Sequence, residues 1–225
     1  MSVRVSIAGL RWGFTRHLLD GRSVEVLRGV TLEVSPGSCT VITGASGSGK
    51  SSLLRCVHGT YGCDTGRIVL GHRGVDLDIA SASPREVIAA RRGLMALATQ
   101  FLEAIPRIAA VDLVAAAAGS REEAADRLRG LGLGEPLLGA PPATFSGGER
   151  QIVNLARALA TPRPLLLLDE ITASLDHGRG RRALEAVRAR KREGATILAV
   201  FHDVPTLPGL VDEVLTLRQG TLVAA

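Results

Sequence analysis

Aromatic side chains and lysines are both scarce in this chain of 225 residues. Aromatics make up 3% of the sequence, which argues against base-stacking platforms, so we expect no nucleic-acid partner. The net charge of +5 comes almost wholly from arginine, because Lys50 and Lys191 are the only lysines. Five arginines recur at helical spacing: Arg179, Arg181, Arg182, Arg188 and Arg190. We interpret them as the solvated face of a helix rather than as a patch that binds an anion or nucleic acid.

Long hydrophobic runs are also missing. The longest, such as Leu165–Leu168 and Leu113–Ala118, fall far short of the roughly 18 residues that indicate a membrane span. The segment Met1–Ala8 alternates polar and apolar residues like a strand and does not read as a signal peptide. We therefore expect a protein that is made and kept in the cytoplasm.

Cysteine is too rare to build a disulfide framework. The three cysteines are Cys39, Cys56 and Cys63. Two of them flank His58, but their spacing fits no usual zinc pattern. Reduced structural thiols are therefore favoured over a metal site.

Strand and helix patterns alternate along most of the chain. Buried apolar runs at Cys39–Thr43, Leu165–Leu168 and Ala195–Phe201 read as core strands, with helical patterns between them. Such alternation predicts an α/β fold whose mostly parallel sheet is covered by helices on both faces. The alternating segments Val3–Ile7 and Val24–Val34 predict an antiparallel layer at the N-terminus.

The character of the sequence changes between residues 101 and 145. This stretch is rich in alanine and leucine with helical periodicity, so we read it as a helical sub-domain inserted into the core. We predict one domain over residues 1–225, with its core formed by residues 1–100 and 146–225.

A glycine-rich loop separates a short apolar strand from a helix. The segment Gly44–Ser51 reads Gly-Ala-Ser-Gly-Ser-Gly-Lys-Ser, a pattern typical of triphosphate binding in this strand-to-helix setting. Backbone amides converge on the phosphates, while Lys50 reaches the β- and γ-phosphates and the Ser51 hydroxyl ligates Mg²⁺. A glycine turn without a ligand is the alternative. The predicted nucleotide-binding residues are Gly44, Ala45, Ser46, Gly47, Ser48, Gly49, Lys50, Ser51 and Ser52.

Polar side chains follow three predicted strands: Leu94–Thr99, Leu165–Leu168 and Ala195–Phe201. Asp169 and Glu170 end one strand, and the carboxyl ends of parallel strands lie beside the phosphate-binding loop. We predict that Asp169 holds Mg²⁺ and that Glu170 is the general base that polarises the attacking water. Gln100 is predicted to bind Mg²⁺ or the water, and His202 to hydrogen-bond the γ-phosphate.

A second anion site is predicted at the start of a later helix. Ser146 is a good N-cap residue, and Gly147 and Gly148 leave their amides bare at the positive end of the helix dipole. The chain already has a phosphate loop, so we expect this site to bind the γ-phosphate held by another subunit. The segment Ser174-Leu175-Asp176 is predicted to lie at the same interface.

These motifs, in this order, resemble the ATP-binding cassette (ABC) ATPases across nearly the whole chain. The resemblance implies a P-loop NTPase (RecA-like) core, ATP and Mg²⁺ as cofactors, and two cassettes, identical or different, that sandwich the nucleotide. The signature residues Ser146, Gly147, Gly148 and Glu149 would act in trans. Phe14, or less favourably Trp12, would stack on adenine. Ile171 and Ile152 depart from the usual Pro and Arg of the family.

Three segments are similar to one branch of this family, the cassette subunits of bacterial carbon–phosphorus lyase systems. They are residues 100–108, 143–151 and 201–203. This resemblance implies a subunit that helps make ribose 1-phosphonate 5-triphosphate from ATP and a phosphonate, alongside soluble lyase subunits. The alternative is the ATPase of an ABC membrane transporter, with a permease as partner, because the catalytic residues would be the same. A cassette acting on nucleic acid or the ribosome is disfavoured, because such chains usually carry two cassettes or long inserts.

Overall fold

The computed structural model describes residues 2–16, 22–100, 107–201 and 208–223. Its strands, in chain order, are β1 (Arg4–Arg16), β2 (Arg22–Val34), β3 (Cys39–Thr43), β4 (Thr65–His72), β5 (Val75–Asp78), β6 (Met95–Ala98), β7 (Leu165–Asp169), β8 (Thr196–Val200), β9 (Glu213–Arg218) and β10 (Thr221–Val223). Its helices are α1 (Lys50–Val57), α2 (Pro84–Gly93), α3 (Ala110–Ala118), α4 (Arg121–Gly130), α5 (Glu135–Leu138), α6 (Gly147–Ala160) and α7 (His177–Arg192). A 3-10 helix covers Pro142–Thr144.

Four strands form an antiparallel sheet in the spatial order β2-β1-β4-β5. One face of β1 is buried through Val5, Ile7 and Leu10, as the alternating sequence pattern requires. The pairing of β1 with β2 shifts register around Gly9, whose φ of 60° suits glycine. The predicted N-terminal antiparallel layer is confirmed.

The second sheet has the spatial order β10-β9-β3-β8-β7-β6. Neighbours from β9 to β6 run parallel, and β10 closes the edge as an antiparallel hairpin with β9. Every residue of β7 and β8 is buried, which matches their continuous apolar sequences. The predicted mostly parallel sheet is confirmed, and the carboxyl ends of β3, β6, β7 and β8 meet at one edge.

Helices α3, α4 and α6 pack together beside the parallel sheet. Their contact is apolar and includes the buried residues Val114, Leu128 and Leu155. Helix α4 begins at Ser120, whose side chain accepts a hydrogen bond from the backbone N–H of Glu123. Residues 107–145 thus carry mainly helical structure, as their composition predicts.

Within the described part of the chain, no helix is both long enough and apolar enough to cross a membrane.

Candidate active site

The phosphate-binding loop runs from the end of β3 to the start of α1. Gly44 has a φ of 139°, and a Cβ there would lie 2.2 Å from the carbonyl oxygen of Leu217, so only glycine fits. The Lys50 ammonium donates hydrogen bonds to the carbonyl oxygens of Gly44 at 2.8 Å and Ala45 at 2.9 Å. Lys50 is 5% exposed. The loop therefore holds a buried cation over its own backbone, where the phosphates of a nucleotide would lie.

Ser51 and Asp169 meet across the edge of the sheet. The Ser51 hydroxyl donates to Oδ1 of Asp169 at 2.9 Å. Burial raises the pKa of Asp169, the Ser51 hydrogen bond lowers it, and the nearby Glu170 charge raises it again. The sequence-predicted Mg²⁺ ligands Ser51 and Asp169 are thus in contact, and Gln100 lines the same cavity.

The donor set in this cavity fits Mg²⁺. Hydroxyl, carboxylate and amide oxygens are hard ligands, and a divalent cation would supply the countercharge that buried Asp169 needs. No cluster of three or more His, Cys, Asp or Glu side chains with metal-binding geometry occurs among the described residues. Mg²⁺ sites that rely on one carboxylate and substrate phosphates need no such cluster.

Glu170 lies in a strained turn directly after β7. Its φ is 51°, in the left-handed region that non-glycine residues seldom adopt. Its backbone N–H donates to the carbonyl oxygen of Val200 at 3.0 Å, and its own carbonyl accepts from the N–H of Ala173 at 3.1 Å. Ile171, fully buried in the core, anchors the next position. Because strained residues persist only where the surroundings fix them, this turn fixes the direction in which the Glu170 side chain leaves the backbone.

The end of β6 is tied to helix α6. The carbonyl oxygen of Thr99 accepts hydrogen bonds from Gln151 Nε2 at 3.2 Å and Asn154 Nδ2 at 2.6 Å. Gln151 and Asn154 are buried on α6, and the sequence analysis did not identify them. The sequence signal that could have identified them is a pair of polar residues, three positions apart, on an otherwise apolar helix face. This link connects Gln100 to the helix that begins at Ser146, whereas His202 lies outside the described residues.

Ser146 starts α6 with a capping box. Its hydroxyl accepts from the N–H of Glu149 at 3.3 Å, and its own N–H donates to Glu149 Oε2 at 2.8 Å. The Ser146 hydrogen bonds hold the pKa of Glu149 below its usual value. Ser146 and Gly147 are exposed, while Phe145 is buried beneath them. The start of α6 is therefore exposed to solvent, and the capping box and the buried Phe145 hold it in place.

The segment Ser174–Asp176 packs against that helix start. A Cβ at Gly148 would lie 2.7 Å from the carbonyl oxygen of Ser174, so the close approach requires glycine. Asp176 caps α7 by accepting from the N–H of Arg179 at 2.9 Å. In the phosphate loop, Gly44 lies against Leu217 and Gly49 lies against Leu27, whereas Gly148 lies against Ser174. The two predicted phosphate-binding elements thus have different neighbours in the described chain.

Two aromatic residues of β1 take different positions. Trp12 stacks on Tyr61, with ring centroids 4.4 Å apart and planes 5° from parallel. Phe14 is 40% exposed near the end of the strand. The Trp12 and Phe14 ring centroids lie 5.9 Å apart, and the assignment of Phe14 to the adenine ring stays a prediction.

The remaining candidates from the sequence have ordinary structural surroundings. Cys39, Cys56 and Cys63 are free thiols, and a hydrogen bond with Cys63 together with burial raises the pKa of Cys56. On and beside α7, Arg179, Arg188 and Arg190 form salt bridges with nearby carboxylates.

The ABC transporter family model matches residues 27–173, which is more than half of the chain. The chain therefore belongs to the ABC transporter family and is an ATP-binding cassette of the ATP-hydrolysing type.

Two relatives illustrate the range within the family. The chain is 36% identical over 216 residues to the methionine import ATP-binding protein MetN of Thermobifida fusca, covering 92% of this chain and 65% of MetN. It is 37% identical over 212 residues to the lipoprotein-releasing system ATP-binding protein LolD 2 of Caulobacter vibrioides, covering 90% of each. The chain thus spans about two thirds of MetN and most of LolD.

Solved structures share the fold over the whole chain. A dimeric post-hydrolysis state of the cassette MJ0796, bound to ADP and Pi, superposes with a TM-score of 0.85 at 23% identity, covering 98% of this chain and 97% of that one. A bacterial Atm1-family exporter with ATP bound gives a TM-score of 0.81 at 27% identity, covering 99% of this chain and 38% of the exporter. The predicted P-loop NTPase fold is confirmed.

Proposed function

We propose that this chain hydrolyses Mg-ATP as one of two paired cassettes, each completing the site of the other. The observation that carries the proposal is the separation of two phosphate-binding elements on one chain. Lys50 is bound to the phosphate loop and Ser51 contacts Asp169 at the sheet edge, while the exposed helix start at Ser146 is followed by Gly148, which lies against Ser174. The cassette MJ0796, which shares this fold, is dimeric in its post-hydrolysis structure.

The chemistry follows from the chain's own groups. The loop amides and Lys50 bind the β- and γ-phosphates, and Ser51, Asp169 and Gln100 would hold Mg²⁺. When bound, Mg²⁺ neutralises phosphate charge. Glu170 accepts a proton as water attacks the γ-phosphorus, and the bond to the β–γ bridging oxygen breaks to leave ADP and phosphate. His202 is proposed to hydrogen-bond the γ-phosphate.

We further propose that the cassette serves a carbon–phosphorus lyase system in the cytoplasm, with soluble lyase subunits as partners. Residues 100–108, 143–151 and 201–203 support this proposal, because they are similar to the cassette subunits of such systems. Residues 101–106 and 202–207 lie outside the described structure. The ATP-driven step would contribute to making ribose 1-phosphonate 5-triphosphate.

A second candidate is the ATPase subunit of a membrane transporter. The names of the relatives favour it, since MetN is a methionine import protein and LolD belongs to a lipoprotein-releasing system. Under this candidate the partner is a membrane permease.

Affinity capture distinguishes the two partners. The tagged Glu170→Gln chain is recovered with Mg-ATP from its native cells, grown on a phosphonate as sole phosphorus source, and bound proteins are identified by mass spectrometry. A matched Lys50→Ala bait, which should not hold ATP, controls for nucleotide-independent binding. Stoichiometric soluble lyase subunits on the first bait support the lyase proposal, and a stoichiometric polytopic membrane protein overturns it.

A further inference from the structure

A cavity of about 910 Å³ opens beside the Ser51–Asp169 pair. Its lining includes Ser51, Asp169 and Gln100 but no residue of the loop Gly44–Lys50. The wall carries arginines from four places in the chain, and we call the cavity the arginine pocket after them: Arg55 on α1, Arg91 on α2, Arg157 on α6 and Arg163 before β7.

Three of these guanidinium groups are held by neutral acceptors. Arg55 donates to the Tyr61 hydroxyl at 2.6 Å, and Arg91 donates to the carbonyl oxygens of His58 at 3.0 Å and Gly59 at 2.6 Å. These bonds fix the side chains through neutral acceptors, and Asp169 is the carboxylate on which the Arg55 charge acts.

Arg163 is held in the same way. Arg163 donates to the Met95 carbonyl at 3.2 Å, and its buried Nε has no hydrogen-bond partner. Among the described lining residues, Asp169 is the one carboxylate, and it accepts from Ser51. Because that Nε is occluded, an anion in the cavity would be bound by the terminal nitrogens of the lining arginines.

The surroundings show that positive charge is concentrated here. Burial lowers the pKa of Arg163, and the charge of Arg157 lowers it further. Burial and the charges of Arg91 and Arg163 lower the pKa of His58 to about 4, so this imidazole is neutral at pH 7. A group of cations that repel one another binds an anion strongly, because the anion relieves the repulsion.

Small side chains leave room for a ligand. Four alanines form much of the remaining wall: Ala96, Ala116, Ala117 and Ala158. The volume lies in the range of roughly 300–1,000 Å³ that is typical of small-molecule sites. Arg55, Arg91 and Arg163 are half-buried, and Arg157 is exposed.

We propose that the arginine pocket binds a small anion of the phosphate or phosphonate type, at a site distinct from the nucleotide phosphates. Guanidinium groups match such oxyanions with paired, charge-assisted hydrogen bonds. A ligand there lies beside Asp169 and Gln100, so its occupancy modulates ATP turnover. The proposal does not depend on which partner complex the cassette serves.

Calorimetric titration of the full chain tests this site. The protein is first saturated with Mg²⁺ and a non-hydrolysable ATP analogue, so that the phosphate loop is filled, and is then titrated with inorganic phosphate or with methylphosphonate. One binding event per chain is expected. Arg157→Gln and Arg163→Gln should each weaken it by roughly tenfold or more, because each removes a charge-assisted hydrogen bond. Arg92→Gln, the same charge change at an exposed neighbour of Arg91, should leave it unchanged.

A second kind of variant, which blocks the pocket sterically, tests the site even if an arginine substitution perturbs folding. Ala116→Trp fills part of the pocket from an exposed helix position without altering charge, and it should also abolish binding. Comparison of the two titrants identifies the preferred anion, and binding of either supports the proposal.

Four outcomes overturn the proposal. The first is that neither anion binds the nucleotide-saturated wild type, and the second is that anion binding to the nucleotide-free protein disappears when the nucleotide is added or when Lys50 is changed to Ala. The third is that Arg92→Gln weakens anion binding as much as Arg157→Gln and Arg163→Gln do. The fourth is that a Glu-rich peptide binds and neither anion does. The last outcome would make the pocket a docking groove for an acidic protein segment.

Discussion

At the residue scale, the site depends on a buried carboxylate whose charge is costly without a cation. Burial raises the pKa of Asp169 above the value of about 3.9 expected in the unfolded chain. The native state then binds this proton more tightly than the unfolded state, so the contribution of Asp169 to stability falls as the pH rises through the interval between the two values. Above the raised pKa the buried carboxylate is fully charged, and its whole destabilising effect is present.

Asp169→Asn should therefore stabilise the nucleotide-free protein near neutral pH while it abolishes Mg²⁺-dependent ATP hydrolysis. The melting temperature should rise by about 2–4 °C for each kcal/mol gained, and the gain should shrink as the pH falls below both pKa values. Thermal unfolding of both proteins across a pH series measures this. A variant that melts below the wild type at neutral pH would contradict the assignment of a buried, costly charge.

Glu170 has a backbone conformation that few residues other than glycine adopt, and that strain is consistent with catalysis. Glu170→Gln keeps the shape of the side chain but removes the base, so turnover should fall by about 10²–10⁴-fold while ATP affinity is retained. Phosphate release and equilibrium nucleotide binding measure the two effects. Glu185→Gln, at an exposed position of α7, is the matched control. Turnover at the wild-type rate in Glu170→Gln would show that the general-base assignment is wrong.

At the element scale, two helices begin with the same capping box. Ser146 with Glu149 starts α6, and Ser83 with Glu86 starts α2. Ser146→Ala and Ser83→Ala should each cost about 0.5–2 kcal/mol of stability, because each removes the same cap. Only Ser146→Ala should also reduce ATP turnover. Chemical denaturation and ATPase assays of the pair separate capping from catalysis, and equal activity in both variants would contradict a role for Ser146 at the γ-phosphate.

The elements that sequence predicted well are those whose pattern is local. Core strands such as β7 are continuous apolar runs, and the phosphate loop is recognisable from its own eight residues. Strand β1 continues to Arg16, beyond the predicted Val3–Ile7, because the register shift near Gly9 breaks the alternating pattern. None of the four residues of β5 is buried, and α5 has only four residues, so neither gave a periodic signal.

At the scale of the whole molecule, the contacts that unite the site come from distant segments. The link from Thr99 to Gln151 and Asn154 joins β6 to a helix about fifty positions later, and no local pattern encodes it. The arginine pocket likewise draws on three helices and a loop. Such features depend on how the elements pack. Sequence motifs therefore located the predicted catalytic residues but not the residues that hold them in place.

The central claim is that each ATP site combines Lys50 of one cassette with Ser146 of another. Two inactive variants test it directly when mixed: Lys50→Ala, which loses its phosphate loop, and Ser146→Arg, which loses its helix start. In a mixed dimer, the intact loop of one chain faces the intact helix start of the other, and one complete site is restored. We predict ATPase activity in the mixture well above that of either variant alone. Activity equal to the mean of the two separate variants would contradict a site shared between cassettes.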